Sequence, residues 1–239
     1  MNSGLSRELW NSVMKSLESV GDAYEKVNLA ASLGLSRRMR RVLLDTLSLK
    51  PGDKVLDAGC GPGTSAEMIA RRVAPRGEIF LLDPLRDLLR AATRRLSEVA
   101  GVEVHPILGA FESIPMRNES VDVVVASYSL RDALDRVEAL EEMARILKPG
   151  GRLGVVEVTR PDSGVMETLA GCYIRWIVPW IGRLAALRRD SPWRALYPTY
   201  RLMWRSSELA NAVSRVVRLI AVKRAAFGVF TAVVGVKST

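Results

Sequence analysis

A chain of 239 residues, 48% hydrophobic and 26% charged, has room for one α/β domain with an insertion and can bury a full core, which excludes disordered and fibrous classes. The longest uncharged run, Ala225 to Val236, is 12 residues, too short for a membrane span, and the first residues lack the apolar core of a secretion signal. Net charge is +9, and two cysteines with one histidine exclude a disulfide framework and zinc chemistry, so a reducing cytoplasm and a metal-free site are expected.

In chain order, residues 5 to 20 and 34 to 48 read as amphipathic helices. Lys54 to Ala58 is a short apolar strand, followed by the glycine-rich GCGPG and a helix from Thr64 to Val73. Strand Glu78 to Leu82 precedes a helix across Leu85 to Val99, and Val102 to Leu108 is a third strand. Val121 to Ser127 is a fourth, with a helix over Val137 to Leu147; LKPGG then turns the chain into a fifth strand, Arg152 to Val158. Residues 160 to 205 break the alternation as a mostly helical insertion before a helix over 206 to 218. Leu219 to Lys223 and Phe227 to Lys237 are close enough to form a hairpin, placing one antiparallel strand at the sheet edge. Apolar strands alternating with helices predict an α/β fold with a doubly wound, mostly parallel seven-stranded sheet. Residues 1–50 are expected to cap the site, and 51–239 to form the core.

The charge is concentrated. Residues 160 to 224 hold twelve Lys/Arg against four acids, a net +8, together with four of the five tryptophans. Arginine interleaved with amphipathic rings suits an anionic membrane surface, and a solvated basic face over core aromatics is an equal alternative. Nucleic acid ranks behind both. Arginine outnumbers lysine 28 to 7 and glutamine is absent, which is compatible with a heat-adapted source or with genomic base composition.

Asp57-Ala58-Gly59-Cys60-Gly61-Pro62-Gly63 lies between the first strand and its helix. Gly59, Gly61 and Gly63 allow a tight turn and close approach of a ligand to the amides of a helix N-terminus. Asp83, followed by Pro84, ends the second strand 24 residues after Gly59, where a carboxylate can take both hydroxyls of a ribose. The G-x-G-x-G spacing, with Thr64 where a dehydrogenase has its third glycine, favours S-adenosylmethionine over a nicotinamide cofactor.

The segments VLDAGCGPG, LLDP, ESIP, SVDVVVASYSL and ILKPGGRL resemble the class I S-adenosylmethionine methyltransferases. A finer similarity is to the ubiquinone/menaquinone C-methyltransferases. Tyr24-Glu25-Lys26-Val27-Asn28 with Ser32, Gly34, Arg37 and Arg41 resembles their N-terminal signature. Leu130-Arg131-Asp132 stands where they have Leu-Arg-Asn, and Glu157 to Pro161 where they have Glu-Phe-Ser-x-Pro. Phe227-Gly228-Val229, Gly235 and Lys237 also fit. The resemblance implies a cytoplasmic enzyme, open to membrane association, that C-methylates a prenylated quinone precursor and releases S-adenosylhomocysteine.

By the same resemblance, Gly59, Gly61 and Gly63 with Asp57 would face the methionine moiety, Asp83 and Pro84 the ribose, Ala110 and Phe111 the adenine, and Ser127 the sulfonium. Tyr24, Asn28 and Tyr128 would meet the substrate. The family has Asp or Asn at Ala110, His at Ser36 and Thr at Pro62. Carbon methylation needs a phenolate and loss of a ring proton: Arg131 is expected at the phenol oxygen, and Asp132 to hold Arg131 or act as base through a water. A local ion pair is the plainer reading of Arg131-Asp132. Another small molecule, RNA, or a scaffold that binds S-adenosylmethionine without turnover are the rival functions. His105 reads as packing, Cys60 as a backbone contributor, Cys172 as core and Glu141-Glu142 as a solvated face. The oligomeric state is open.

Overall fold

The computed structural model describes residues 4–20, 23–186 and 196–238. One seven-stranded sheet runs through it. Its strands are β1 (Lys54–Ala58), β2 (Gly77–Asp83), β3 (Val102–Leu108), β4 (Val121–Ser127), β5 (Leu147–Val158), β6 (Arg218–Ala225) and β7 (Phe230–Val236). The spatial order is β3-β2-β1-β4-β5-β7-β6. All neighbours pair parallel except β7, which is antiparallel to both β5 and β6. The reversed strand is therefore one place in from the edge rather than at it, because β6 passes outside before the chain doubles back.

Both faces of the sheet are covered, as near-continuous apolar strands require. On one, α3 (Leu35–Leu47), α4 (Thr64–Val73) and α5 (Arg86–Leu96) bring Leu43, Leu47, Ile69, Ala92 and Leu96 against Val55, Ile79, Val123 and Val156. On the other, α6 (Arg136–Ile146) and α10 (Ser206–Ser214) set Leu140, Met143, Leu209 and Val213 against Leu56, Val124 and Val155. Every one of these side chains is at most 1% exposed, and each of the larger ones, Ala92 aside, contributes about 1.5–3 kcal/mol by burial.

Three boundaries differ from expectation. A helix, α2 (Ala23–Ala31), precedes α3 in a stretch where polar and apolar residues are too mixed to show a stripe. Strand β5 opens at Leu147, which pairs with Val121; Gly150, at φ 73°, then bends the chain before the ladder resumes at Arg152. Helix α10 ends at Ser214, and β6 takes the residues after Val217. Among the described residues the insertion is mostly helical, as expected: α7 (Gly164–Cys172), a π turn (Tyr173–Ile177), α8 (Val178–Ala186) and α9 (Leu196–Leu202), with 187–195 outside the described residues. The first helix, α1 (Arg7–Val20), packs Val13 and Met14, with Leu5 just ahead of it, on Leu85 at the start of α5.

Candidate active site

The sheet order reverses between β1 and β4, and the crevice beyond the carboxyl ends of these strands is where a ligand fits a doubly wound fold. The glycine loop is pinned there by β2: the amides of Gly59 and Cys60 both donate to the Leu82 carbonyl, at 2.8 and 3.0 Å. Asp83 is clamped in turn, accepting from the Gly61 amide through Oδ2 and from the Leu85 amide through Oδ1, each at 2.9 Å. The glycines have different tasks. Gly61, at φ 53°, has open space where a Cβ would stand; Gly63, at φ 86°, sits against Ala92, whose Cα would be 2.8 Å from an added Cβ. The first leaves a cradle for a ligand and the second lets α4 pack on α5.

A cleft with about 890 Å³ of empty space, its solvent mouth included, opens over this loop. Of the residues singled out from sequence, Gly59, Gly61, Asp83, Pro84, Ala110, Phe111, Ser127, Tyr128 and Asp132 line it together. Asp57, Gly63, Asn28 and Arg131 are not among its lining residues. The side chain of Tyr24 lies outside the described residues. Sequence reasoning missed Trp10, Met14 and Leu17 of α1, and Arg40, Glu112 and Ser129. The spacing of Trp10, Met14 and Leu17 is that of one helix face, so a stripe was legible but its partner was not.

Ser127 is 8% exposed at the end of β4, and its Oγ is a buried atom without a hydrogen-bond partner. Tyr128 follows at φ 60°, its hydroxyl donating to the Ser36 carbonyl at 2.9 Å, and Arg40 lies over its ring, 5.3 Å from the centroid. A short 3₁₀ turn, Leu130–Asp132, then brings Asp132 to the cleft wall while Arg131 turns inward. Arg131 Nε is 3.5 Å from Asp132 Oδ1, and the Arg131 amide donates to Glu157 Oε1 at 3.3 Å. Arg136, fully buried, braces the turn by donating to the carbonyls of Leu202 and Arg131, at 3.0 and 3.3 Å.

Burial dominates the electrostatics. It pushes Asp57 up to about 7, against the opposing charge of Arg40, and Asp83 up to about 6, against its two backbone donors. Glu157 is raised to about 7 by burial, with Arg131 pulling the other way. Asp132 is raised for the same reason, and Arg131 and Arg136 act to keep it ionised. Two of these carboxyls, Asp83 and Asp132, line the cleft, while Asp57 and Glu157 are buried behind it; Arg40 opposes the shift of Asp57, and Arg131 those of Asp132 and Glu157.

Cys172 is exposed on α7 rather than core. Glu142 is not a solvated residue: it accepts from the Ile114 amide at 2.9 Å and pairs with Arg145, Oε1 to Nε at 2.6 Å. Together Glu142 and Arg145 hold the loop after β3 against α6, Arg145 donating to the carbonyls of Ile114 and Met116, each at 2.9 Å. His105 stacks on Phe80, centroids 4.7 Å apart, as packing predicts, and Cys60 is buried. Among the described residues no helix is long and apolar enough to cross a membrane, and no three or more His, Cys, Asp or Glu side chains cluster in a way that could hold a metal ion.

The model of the ubiE/COQ5 methyltransferase family matches residues 6–236 of this chain. A ubiquinone/menaquinone biosynthesis C-methyltransferase UbiE from Syntrophotalea carbinolica is 34% identical over 70% of this chain and 70% of its own length. A demethylmenaquinone methyltransferase from Listeria monocytogenes is 28% identical over 73% of each. Among solved structures, a methyltransferase of Thermotoga maritima described as a possible histamine N-methyltransferase superposes with a TM-score of 0.62 over 96% of this chain and 100% of that one, at 18% identity, a likeness of fold.

Proposed function

The chain belongs to the ubiE/COQ5 methyltransferase family, and on that premise we propose that it transfers a methyl group from S-adenosylmethionine to a ring carbon of a prenylated quinone precursor, releasing S-adenosylhomocysteine. The observation that carries this reading is the meeting of Gly61, Asp83, Ser127 and Asp132 in one cleft at the switch point of the sheet. The residues present fit the cofactor. Gly61 leaves an open cradle, Asp83 presents a carboxylate to a pair of hydroxyls, and the unpartnered Oγ of Ser127 offers a polar contact at the reaction end. Pro84, Ala110 and Phe111 form a mainly apolar slot for the adenine, with Glu112 beside it. Asp57 acts from behind the loop, through Arg40.

When bound, the cofactor supplies an electrophilic methyl carbon. The chain supplies position and a proton acceptor. Asp132, on the cleft wall, takes the ring proton as the electron pair of the broken C–H bond returns to the ring. Arg131 is a positioning residue: from beneath, its charge holds Asp132 ionised and favours a phenolate in the same cleft. Tyr128 and helix α1 form the substrate side, where Trp10, Met14 and Leu17 suit a lipophilic acceptor. We place the enzyme at the cytoplasmic face of a membrane, from which such an acceptor would come. Its scarcity of amide side chains suits a heat-adapted source.

Calorimetric titration tests the cofactor half. S-adenosylmethionine and S-adenosylhomocysteine bind the wild type and bind Asp83→Ala at least about tenfold more weakly, the loss of hydrogen bonds to a charged group. Binding of NADH in their place, or of none of the three, overturns the reading.

A further inference from the structure

From Gly164 to Ala186 the insertion is one unbroken helical arm, α7 passing through the π turn into α8, with helical backbone at Cys172, Tyr173 and Val178. Val165, Leu169, Trp176, Ile177, Trp180 and Leu184 are 48–76% exposed along it. At about 100° per residue, and with the π turn absorbing one extra residue, these side chains fall within an arc of roughly 80°. Without that turn the second half of the stripe would rotate away from the first. The opposite side carries Ile174 and Val178, which are 4% and 2% exposed. The stripe continues onto α2, because the Tyr173 hydroxyl donates to the Ala31 carbonyl at 2.9 Å and Leu33 stands 84% exposed just beyond.

Arginines flank the stripe. Arg175 lies over Trp176 and over Tyr197, at 5.0 and 5.3 Å from the ring centroids, and Arg183 over Trp180 at 5.5 Å. Other cations of the basic segment are engaged inside the fold: Arg160 and Arg205 both pair with Glu167, at 3.0 and 2.7 Å, at the root of the arm. The surface thus pairs exposed indoles with cations held at ring height, and among the described residues the arm's own acid, Glu167, is engaged by Arg160 and Arg205.

We propose that this arm is the docking face for a bilayer rich in anionic headgroups, on which it lies flat without crossing. The apolar stripe enters the acyl boundary, the indoles sit at the interface, and Arg175 and Arg183 meet lipid phosphates. Charge complementarity selects the lipid over a second copy of this chain, whose identical face would oppose arginine with arginine. The inference rests on the lipophilic acceptor proposed above and gives it a route of entry.

The full chain is incubated with vesicles of phosphatidylglycerol or of phosphatidylcholine, with co-sedimentation and tryptophan quenching by brominated acyl chains as readouts. The wild type binds the anionic vesicles, less so as salt rises, and its tryptophans are quenched. The pairs Trp176→Ser with Trp180→Ser, and Arg175→Gln with Arg183→Gln, each bind about tenfold more weakly with unchanged melting temperature and unchanged methylation of a tail-less acceptor in water. No vesicle binding, binding indifferent to both pairs, or a dimer in light scattering that the tryptophan pair dissolves overturns the proposal. Vesicle binding without methylation of any quinol overturns the proposed reaction and leaves the docking face standing.

Discussion

Arg40 and Tyr128 form one unit across the cleft wall: the guanidinium lies 5.3 Å from the ring centroid, and the Tyr128 hydroxyl donates to Ser36, one turn earlier on the helix that carries Arg40. The tyrosine thereby ties the end of β4 to α3. Tyr128→Phe keeps the ring under Arg40 and loses the hydrogen bond, so chemical denaturation shows a loss of about 1 kcal/mol. Tyr128→Ala loses the ring as well and costs about 3 kcal/mol or more.

Stability depends on pH in a defined direction. Asp57 and Glu157 titrate at about 7 in the folded chain, above ordinary values of 3.8 and 4.5. A carboxyl whose pKa is raised on folding holds its proton more tightly in the native state, so the native state is favoured at low pH. That advantage is lost as pH rises from about 4 to about 7, with a slope of at most about 1.4 kcal/mol per pH unit for each carboxyl. Asp57→Asn and Glu157→Gln each flatten the fall in denaturant midpoint over this window, measured without cofactor. An unchanged slope in both contradicts the assignment.

The substitution Asp132→Asn separates two roles of the carboxylate, accepting the ring proton and holding Arg131. If Asp132 accepts the ring proton, kcat falls about 10²–10⁴-fold with cofactor affinity unchanged, and the rise of kcat with pH disappears. Activity and pH profile like those of the wild type would assign the carboxylate to holding Arg131 alone.

The glycine loop makes a contrast within two residues. Gly61→Ala puts a methyl into open space at φ 53° and costs about 1–2 kcal/mol in stability, but it fills the cradle and abolishes S-adenosylmethionine binding. Gly63→Ala adds the collision with Ala92 to the same strain and costs more in stability, read by thermal melting. Equal effects of the two on binding and stability would contradict the division of tasks.

The parallel sheet was legible because β1, β2 and β4 are runs of apolar residues, with turn-forming glycines after β1 and an aspartate at the end of β2; its strand order and switch point were not. Asp83 was legible from its place at a strand exit, whereas Phe111 and Ser127 were supplied by the family resemblance. What escaped depends on contacts between distant segments. Arg40 sits in a run of arginines, and only the packing of α3 on Tyr128 distinguishes it from Arg37 and Arg41. The basic segment looked uniform in sequence, yet Arg160 and Arg205 are bound at Glu167 while Arg175 and Arg183 stand over tryptophans. Cys172 looked apolar enough for a core because its helix carries hydrophobic residues on the exposed side too.

Transfer of an isotopically labelled methyl group tests the central claim most directly. The purified chain is given S-adenosylmethionine carrying a ¹³C methyl and a reduced, short-tailed demethylated naphthoquinol in detergent, and the product is read by carbon NMR. The account predicts a label bonded to a ring carbon, with one equivalent of S-adenosylhomocysteine released. A label on oxygen, or none transferred while the cofactor binds, would contradict it.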